Sequence, residues 1–163
     1  MARPAEQFGR RPCGKRAFSL IELVVVVAVV AIMAAIAMPR MAQSTARYRT
    51  ETACRRVAAD LEVARARAGA TLVAQSVVFS RAANRFAYTL TGMSDPDRPA
   101  LEYTVDLGDE PYCCDYLEAT FGGPPRITFD GYGRPEATGT VEVGCGAWRK
   151  SLTLEVSGEV SGL

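Results

Sequence analysis

The chain has 163 residues, of which 48% are apolar and 23% charged, with a formal net charge of +1 and no histidine. That composition fits one folded domain plus an added hydrophobic element. It disfavours a histidine-based catalytic site, a His-ligated metal and a strongly basic nucleic-acid binder. The near-neutral total conceals an asymmetry: the first 17 residues carry Arg3, Arg10, Arg11, Lys15 and Arg16 against one acid, Glu6, and the remainder is net −3. Arg40, Arg47, Arg49, Arg55, Arg56, Arg65 and Arg67 all precede residue 68, and from there on 13 acids face 7 bases.

From Leu23 to Met38 no side chain is polar, and extending the run back to Phe18 adds only Ser19 and Glu22. As a helix rising about 1.5 Å per residue, this segment reaches roughly 30 Å, one hydrocarbon core. The basic flank before it predicts an N-terminus left in the cytoplasm and a chain exported after Pro39. Three readings compete. A secretory signal peptide requires small residues at its far side, which Ala35 to Met38 supply weakly. A plain membrane anchor leaves Glu22 unexplained, because an ionisable group inside a spanning helix costs about 2.5 kcal/mol or more. The third gives Glu22 a partner: a cut between Ala17 and Phe18 creates an α-amino group that Glu22 of a neighbouring helix neutralises, and a buried charge is tolerable when paired.

The stretch from Lys15 through Phe18 and Glu22 to Ile32 resembles the N-terminal signature of type IV pilins and type II secretion pseudopilins. In that family a prepilin peptidase removes the basic leader and methylates the new N-terminal Phe, and a Glu stands at its fifth position; Phe18 and Glu22 match both. The resemblance implies cleavage at Ala17/Phe18, N-methylation of Phe18, an assembly role for Glu22, and a helix kink at Pro39, where many family helices bend. The family usually has Gly immediately before the cut, and this chain has Ala17.

After Pro39 apolar residues recur at helical steps at Cys54, Val57, Leu61, Ala64, Ala68 and Leu72. Alanine and arginine favour helix. The spacing predicts one helix from about Ser19 to Ala70, apolar all round in its first half and amphipathic in its second. Its arginines suit phosphate contact or a solvated face; the interspersed Glu51, Asp60 and Glu62 favour the solvated face.

Beyond Gly69 the period becomes that of strands. Runs at 76–80 and 86–90 read as a hairpin, 101–107 as a strand with one covered face, 108–125 as irregular, and 126–129, 140–144 and 151–156 as three further strands. The expected class is α+β, a long N-terminal helix packed against an antiparallel β-sheet domain. The expected segments are a leader over 1–17, a membrane or filament-core helix over 18–38, its amphipathic continuation over 39–70 and a periplasmic β-rich domain over 71–163.

The run Ile127-Thr128-Phe129-Asp130-Gly131, Gly133-Arg134-Pro135, Gly139-Thr140-Val141-Glu142-Val143 and Ser151 to Ser157 with Gly158 is similar to the C-terminal signature of GspH/FimT minor pseudopilins. The residues that carry the two resemblances lie within 15–32 and 127–158. The family's short Gly-Arg-Val tail is replaced by Gly158-Glu159-Val160. Members of the FimT branch are thought to bind DNA through basic residues in this region, so the acidic tail and the acidic domain disfavour DNA as a partner.

Cys13 lies in the leader. Cys54, Cys113, Cys114 and Cys145 would meet an oxidising compartment if the domain is exported. Bridging the adjacent Cys113 and Cys114 to each other is sterically awkward, so the expected disulfides pair each elsewhere, with Cys145 and Cys54 as partners. The alternative is that Cys54 is an ordinary buried thiol. A zinc site lacks both histidine and a second Cys-x-x-Cys pair, and Asp95 with Asp97 reads as a Pro-rich surface turn rather than a calcium site. Trp148 and Tyr132 read as core or turn residues, with exposed contact roles as the alternative. No catalytic, cofactor-binding or metal-binding residue is expected.

The resemblances imply a non-enzymatic minor pseudopilin of the type II secretion pseudopilus, single-pass in the bacterial inner membrane before assembly. The implied partners are other pseudopilins or pilins, the prepilin peptidase and inner-membrane lipid, with secreted cargo or the secretion channel as further candidates. A FimT-like minor type IV pilin in pilus assembly or DNA uptake, and a plain membrane-anchored β domain, are the alternatives.

Overall fold

A computed structural model describes residues 18–82 and 85–162, apart from the side chain at position 39. Cys13, Ala17 and the rest of the leader lie outside the described residues. One helix, α1, spans Leu20–Thr71. The chain divides into two compact units, residues 1–39 and 40–163.

In the first unit every large apolar side chain from Leu20 to Met38 is half exposed or more. The helix there is long and apolar enough to cross a membrane by length and composition. The backbone remains helical through position 39.

In the second unit α1 buries Ala53, Cys54, Val57, Ala58, Leu61, Ala64 and Ala68, a stripe at the steps of three and four that place residues on one face. Four of the seven are alanines, so the helix backbone can approach the sheets closely. Leu72 was expected to extend the stripe; it is 72% exposed because the backbone reverses there, at φ 55°, one residue after the helix ends.

Eight strands follow: β1 Gln75–Ala82, β2 Arg85–Ser94, β3 Glu102–Asp106, β4 Tyr116–Thr120, β5 Arg126–Phe129, β6 Gly139–Cys145, β7 Trp148–Leu154 and β8 Val160–Ser161. They form two four-stranded sheets, ordered β3-β2-β1-β5 and β4-β6-β7-β8, with all pairs antiparallel. Val77, Phe79, Leu90, Ile127 and Phe129 from one sheet and Leu117, Val141, Val143, Leu152 and Leu154 from the other join the helical stripe in one core. The architecture is α+β.

Three strand expectations change. The 108–125 stretch contains β4, whose buried Leu117 sits between half-buried Tyr116 and exposed Glu118. β7 starts at Trp148 and stops at Leu154, since Glu155 N–H donates to the Glu159 carbonyl at 2.9 Å and Gly158 N–H to the Glu155 carbonyl at 2.9 Å; this turn throws Val156 into solvent and opens β8. The β1–β2 pairing continues to Ala82↔Arg85, into residues expected to be a turn. Between β2 and β3, the Asp95 carboxylate accepts the N–H groups of Asp97 and Arg98 at 2.9 and 3.2 Å, an Asx-type turn.

A buried polar contact fastens α1 to the first sheet. Tyr88, 1% exposed, donates its hydroxyl to Asp60 Oδ2 at 2.6 Å, and Arg56 Nε donates to the same oxygen at 3.0 Å. Burial, reinforced by the Asp60 carboxylate, pushes the Tyr88 phenol far above its ordinary range. The group is therefore neutral in the folded chain where an unfolded tyrosine ionises, at about pH 10. A raised acid pKa gives stability that is complete below the unfolded value and lost as pH climbs through it. Resistance to urea unfolding should accordingly weaken in two stages, a first above about pH 8.5 as unfolded thiols ionise while buried Cys54 and Cys114 do not, and a second beyond about pH 10 from Tyr88. Tyr88→Phe should cost about 1–2 kcal/mol at neutral pH and blunt the alkaline loss; an unaltered alkaline slope would contradict this role for Tyr88.

Candidate assembly site

The site expected from the sequence begins at Phe18. Phe18 and Ser19 precede α1, Phe18 is 83% exposed, and the Ser19 carbonyl accepts Leu23 N–H at 3.2 Å, the first rung of the helix. Glu22 falls in the first turn, where a carboxylate complements the positive end of the helix dipole. The Ser19-x-x-Glu22 spacing is also that of a capping box. Among the described residues Glu22 forms no side-chain hydrogen bond or ion pair, and it is exposed. It stands at the head of about 16 consecutive apolar positions with no apolar partner in this unit. Chemically this is a surface that demands burial in lipid or against other helices, with one carboxylate fixed at its edge.

The second unit presents a surface that sequence reading missed. Arg47, Thr50 and Glu51 of α1 and Trp148, Arg149 and Lys150 of β7 line a cleft of about 220 Å³. The Arg47 guanidinium lies 5.6 Å from the centre of the Trp148 ring, and that of Arg149 lies 3.5 Å from the Tyr116 ring, so aromatic faces hold two of the three cations. Trp148 is 40% exposed and Tyr132 83%, so neither is a core residue; Tyr132 lies in the turn closed by Asp130. The signal lay in the Trp148-Arg149-Lys150 run, three side chains at the mouth of a strand.

The glycines of the C-terminal signature act at the helix. Gly158 has φ 79°, and a Cβ there would stand 3.0 Å from Arg65 Nε and 3.1 Å from the Gly133 carbonyl oxygen. The Asp130–Arg134 turn that carries Gly133 is closed by Asp130 Oδ1, which accepts Tyr132 and Arg134 N–H at 2.9 and 2.8 Å. The Arg65 stem thus runs against two turns that only small residues permit.

Of the four cysteines after the leader, Cys54, Cys114 and Cys145 are buried and Cys113 is half-buried; all four are thiols. Burial pushes the Cys54 thiol up to about 11.

Residues 13–38 match the family model described as the prokaryotic N-terminal methylation motif. The fold is similar to that of the type IV minor pilin FimU of Pseudomonas aeruginosa, at 16% identity and a TM-score of 0.52 over 72% of this chain and 90% of that one. No curated protein matches the chain. The long N-terminal helix packed through its second half on antiparallel sheets is the type IV pilin fold.

Proposed function

We propose that this chain is a minor pseudopilin, a filament subunit of a type II secretion system that supports export of folded proteins across the outer membrane. One observation carries the reading: an apolar helix exposed on all sides, opened by Phe18 and Glu22 inside a matched N-terminal methylation motif. In this reading a prepilin peptidase cuts between Ala17 and Phe18 and methylates the Phe18 amine. The 18–38 segment then passes from the inner membrane into a filament core, with Pro39 as the place where the helix can bend. Glu22 meets the N-terminal amine of a neighbouring subunit and fixes their register. The activity is mechanical and recognitional, and the 71–163 domain faces the periplasm. The acidic signature tail, Gly158-Glu159-Val160, and the acidic balance after residue 68 argue for protein partners over DNA.

A second reading, a minor type IV pilin, is favoured by the likeness to FimU. Comparing culture-supernatant proteins by mass spectrometry from strains with and without the gene separates the two. Loss of a defined set of exported proteins is the expected result. An unchanged secretome accompanied by loss of surface pili would overturn the secretion reading in favour of the second.

A further inference from the structure

Three cysteines from distant parts of the chain converge in the core of the second unit. Cys54 lies on α1, Cys114 in the loop before β4 and Cys145 at the end of β6, and their exposures are 0%, 3% and 2%. The convergence is not symmetrical. Sγ of Cys114 and Sγ of Cys145 both donate to one carbonyl, that of Tyr112, at 3.8 and 3.7 Å, so one oxygen atom gathers the two thiols. The backbone holds them there: Asp115 N–H donates to the Gly144 carbonyl at 3.0 Å and Cys114 N–H to the Leu107 carbonyl at 2.7 Å. The Asp115 carboxylate in turn accepts Gly146 N–H at 3.1 Å. The residues next to each cysteine are therefore tied to one another, and the Tyr116↔Gly144 pairing keeps both cysteines at the same end of the second sheet. Cys54 instead turns its thiol to the Lys150 carbonyl, at 3.8 Å. Cys113 has φ 49° and is only half-buried, and among the described residues its thiol forms no hydrogen bond, unlike the other three.

We propose that Cys114 and Cys145 are a dithiol that closes to a disulfide, pinning the loop before β4 to the end of β6, while Cys54 and Cys113 remain thiols. In the reaction the thiolate of one cysteine attacks a sulfur of an oxidised donor, for example glutathione disulfide, and expels one glutathione thiolate. The second cysteine then displaces the other glutathione from the mixed disulfide. One Sγ–Sγ bond forms, two S–H bonds are lost, and the donor takes two electrons and two protons to become two glutathione thiols. In the cell a disulfide-donating oxidoreductase of the envelope would play the donor; that part rests on the export reading above, while the geometry does not.

The test uses the full chain in detergent micelles, oxidised with glutathione disulfide, blocked with an alkylating reagent and mapped by non-reducing peptide mass spectrometry. The expected product joins the peptide carrying Cys145 to that carrying Cys113 and Cys114, and Cys113→Ser retains the link whereas Cys114→Ser abolishes it. The thermal midpoint of the oxidised chain should fall by about 10 °C on reduction. A Cys54–Cys145 link, loss of the link in Cys113→Ser, or all five thiols alkylated after oxidation, Cys13 included, would each overturn the proposal. Because the assay supplies its own oxidant, none of these results bears on whether the chain is exported. Free thiols in protein from the native envelope, beside a disulfide made in vitro, would count against the export reading alone.

Discussion

If the chain is a filament subunit as proposed, Glu22→Ala is expected to insert and to be processed like the native chain, yet to be recovered in sheared filaments at about one tenth of the native amount or less, the tenfold step that corresponds to about 1.4 kcal/mol. The sign of the first step follows from solvation. An ionised side chain within a spanning segment costs about 2.5–3.5 kcal/mol on insertion scales, so alanine makes insertion easier, and any defect must arise after it. What alanine removes is the single charge at the head of an otherwise apolar helix, and among the described residues that charge has no partner within the chain. Pairing with the amine of a neighbouring subunit, in a filament core that excludes water, offsets the desolvation of both groups. Glu22→Gln separates this role from a local one. Gln retains the shape and the hydrogen-bonding reach of a capping-box residue but has no charge, so it should behave like alanine if the ion pair governs assembly and like the native chain if Glu22 only caps α1. Native recovery of Glu22→Ala in filaments would sink the pairing.

The N-terminal third was legible because its signal is one-dimensional. An unbroken apolar run with one carboxylate at a fixed offset needs no tertiary contact to be recognised, and the stripe from Cys54 to Ala68 follows from helical periodicity alone. Leu72 fits the same period but is exposed, since periodicity does not report the backbone reversal that ends the helix. β4 was hidden for the opposite reason. Its five residues lie between a Cys-Cys pair and a Gly-Gly-Pro-Pro turn, and such short strands exist only through pairing, here with β6 in the register Leu117↔Val143. The two-residue β8 depends in the same way on the Glu155–Glu159 turn. Cys114 and Cys145 are 31 residues apart in the chain, and only the closure of the second sheet sets their neighbours on adjacent strands. Sequence reading singled out all four cysteines and rejected the Cys113–Cys114 bridge, but had no means of choosing between the two pairings that remained. The Arg47–Trp148 cleft was invisible because its two walls are about 100 residues apart, and a tryptophan at a strand mouth is as compatible with burial as with exposure.

Gly139→Ala is expected to be the most damaging single-methyl change in the β-rich domain. Gly139 opens β6, opposite Leu154 on β7, beside the point where the chain leaves β4 at Thr120, the partner of Thr140. A Cβ there would lie 2.1 Å from the Thr120 carbonyl oxygen, 2.4 Å from Phe121 Cδ1 and 3.0 Å from Phe121 Cα. Two of the three obstacles are backbone atoms, so no rotamer change relieves the overlap. The third belongs to a buried ring whose centre lies 5.9 Å from that of Phe79, so moving it disturbs the packing between the two sheets. Overpacking of this kind costs about 3 kcal/mol or more when the backbone has to shift, which lowers the thermal midpoint by roughly 10 °C in a domain of this size. Gly144→Ala is a graded comparison: its Cβ would meet the flexible Arg149 side chain at 3.1 Å and the Trp148 carbonyl at 3.1 Å, so the loss should be about 1 kcal/mol. Gly123→Ala meets nothing within 4 Å and should be neutral. Circular dichroism melts of the three variants in the same micelles should therefore rank Gly139 far below Gly144, and Gly144 slightly below Gly123. Equal midpoints for Gly139→Ala and Gly123→Ala would mean that the chain leaving β4 does not lie as close to the start of β6 as the Thr120↔Thr140 register puts it.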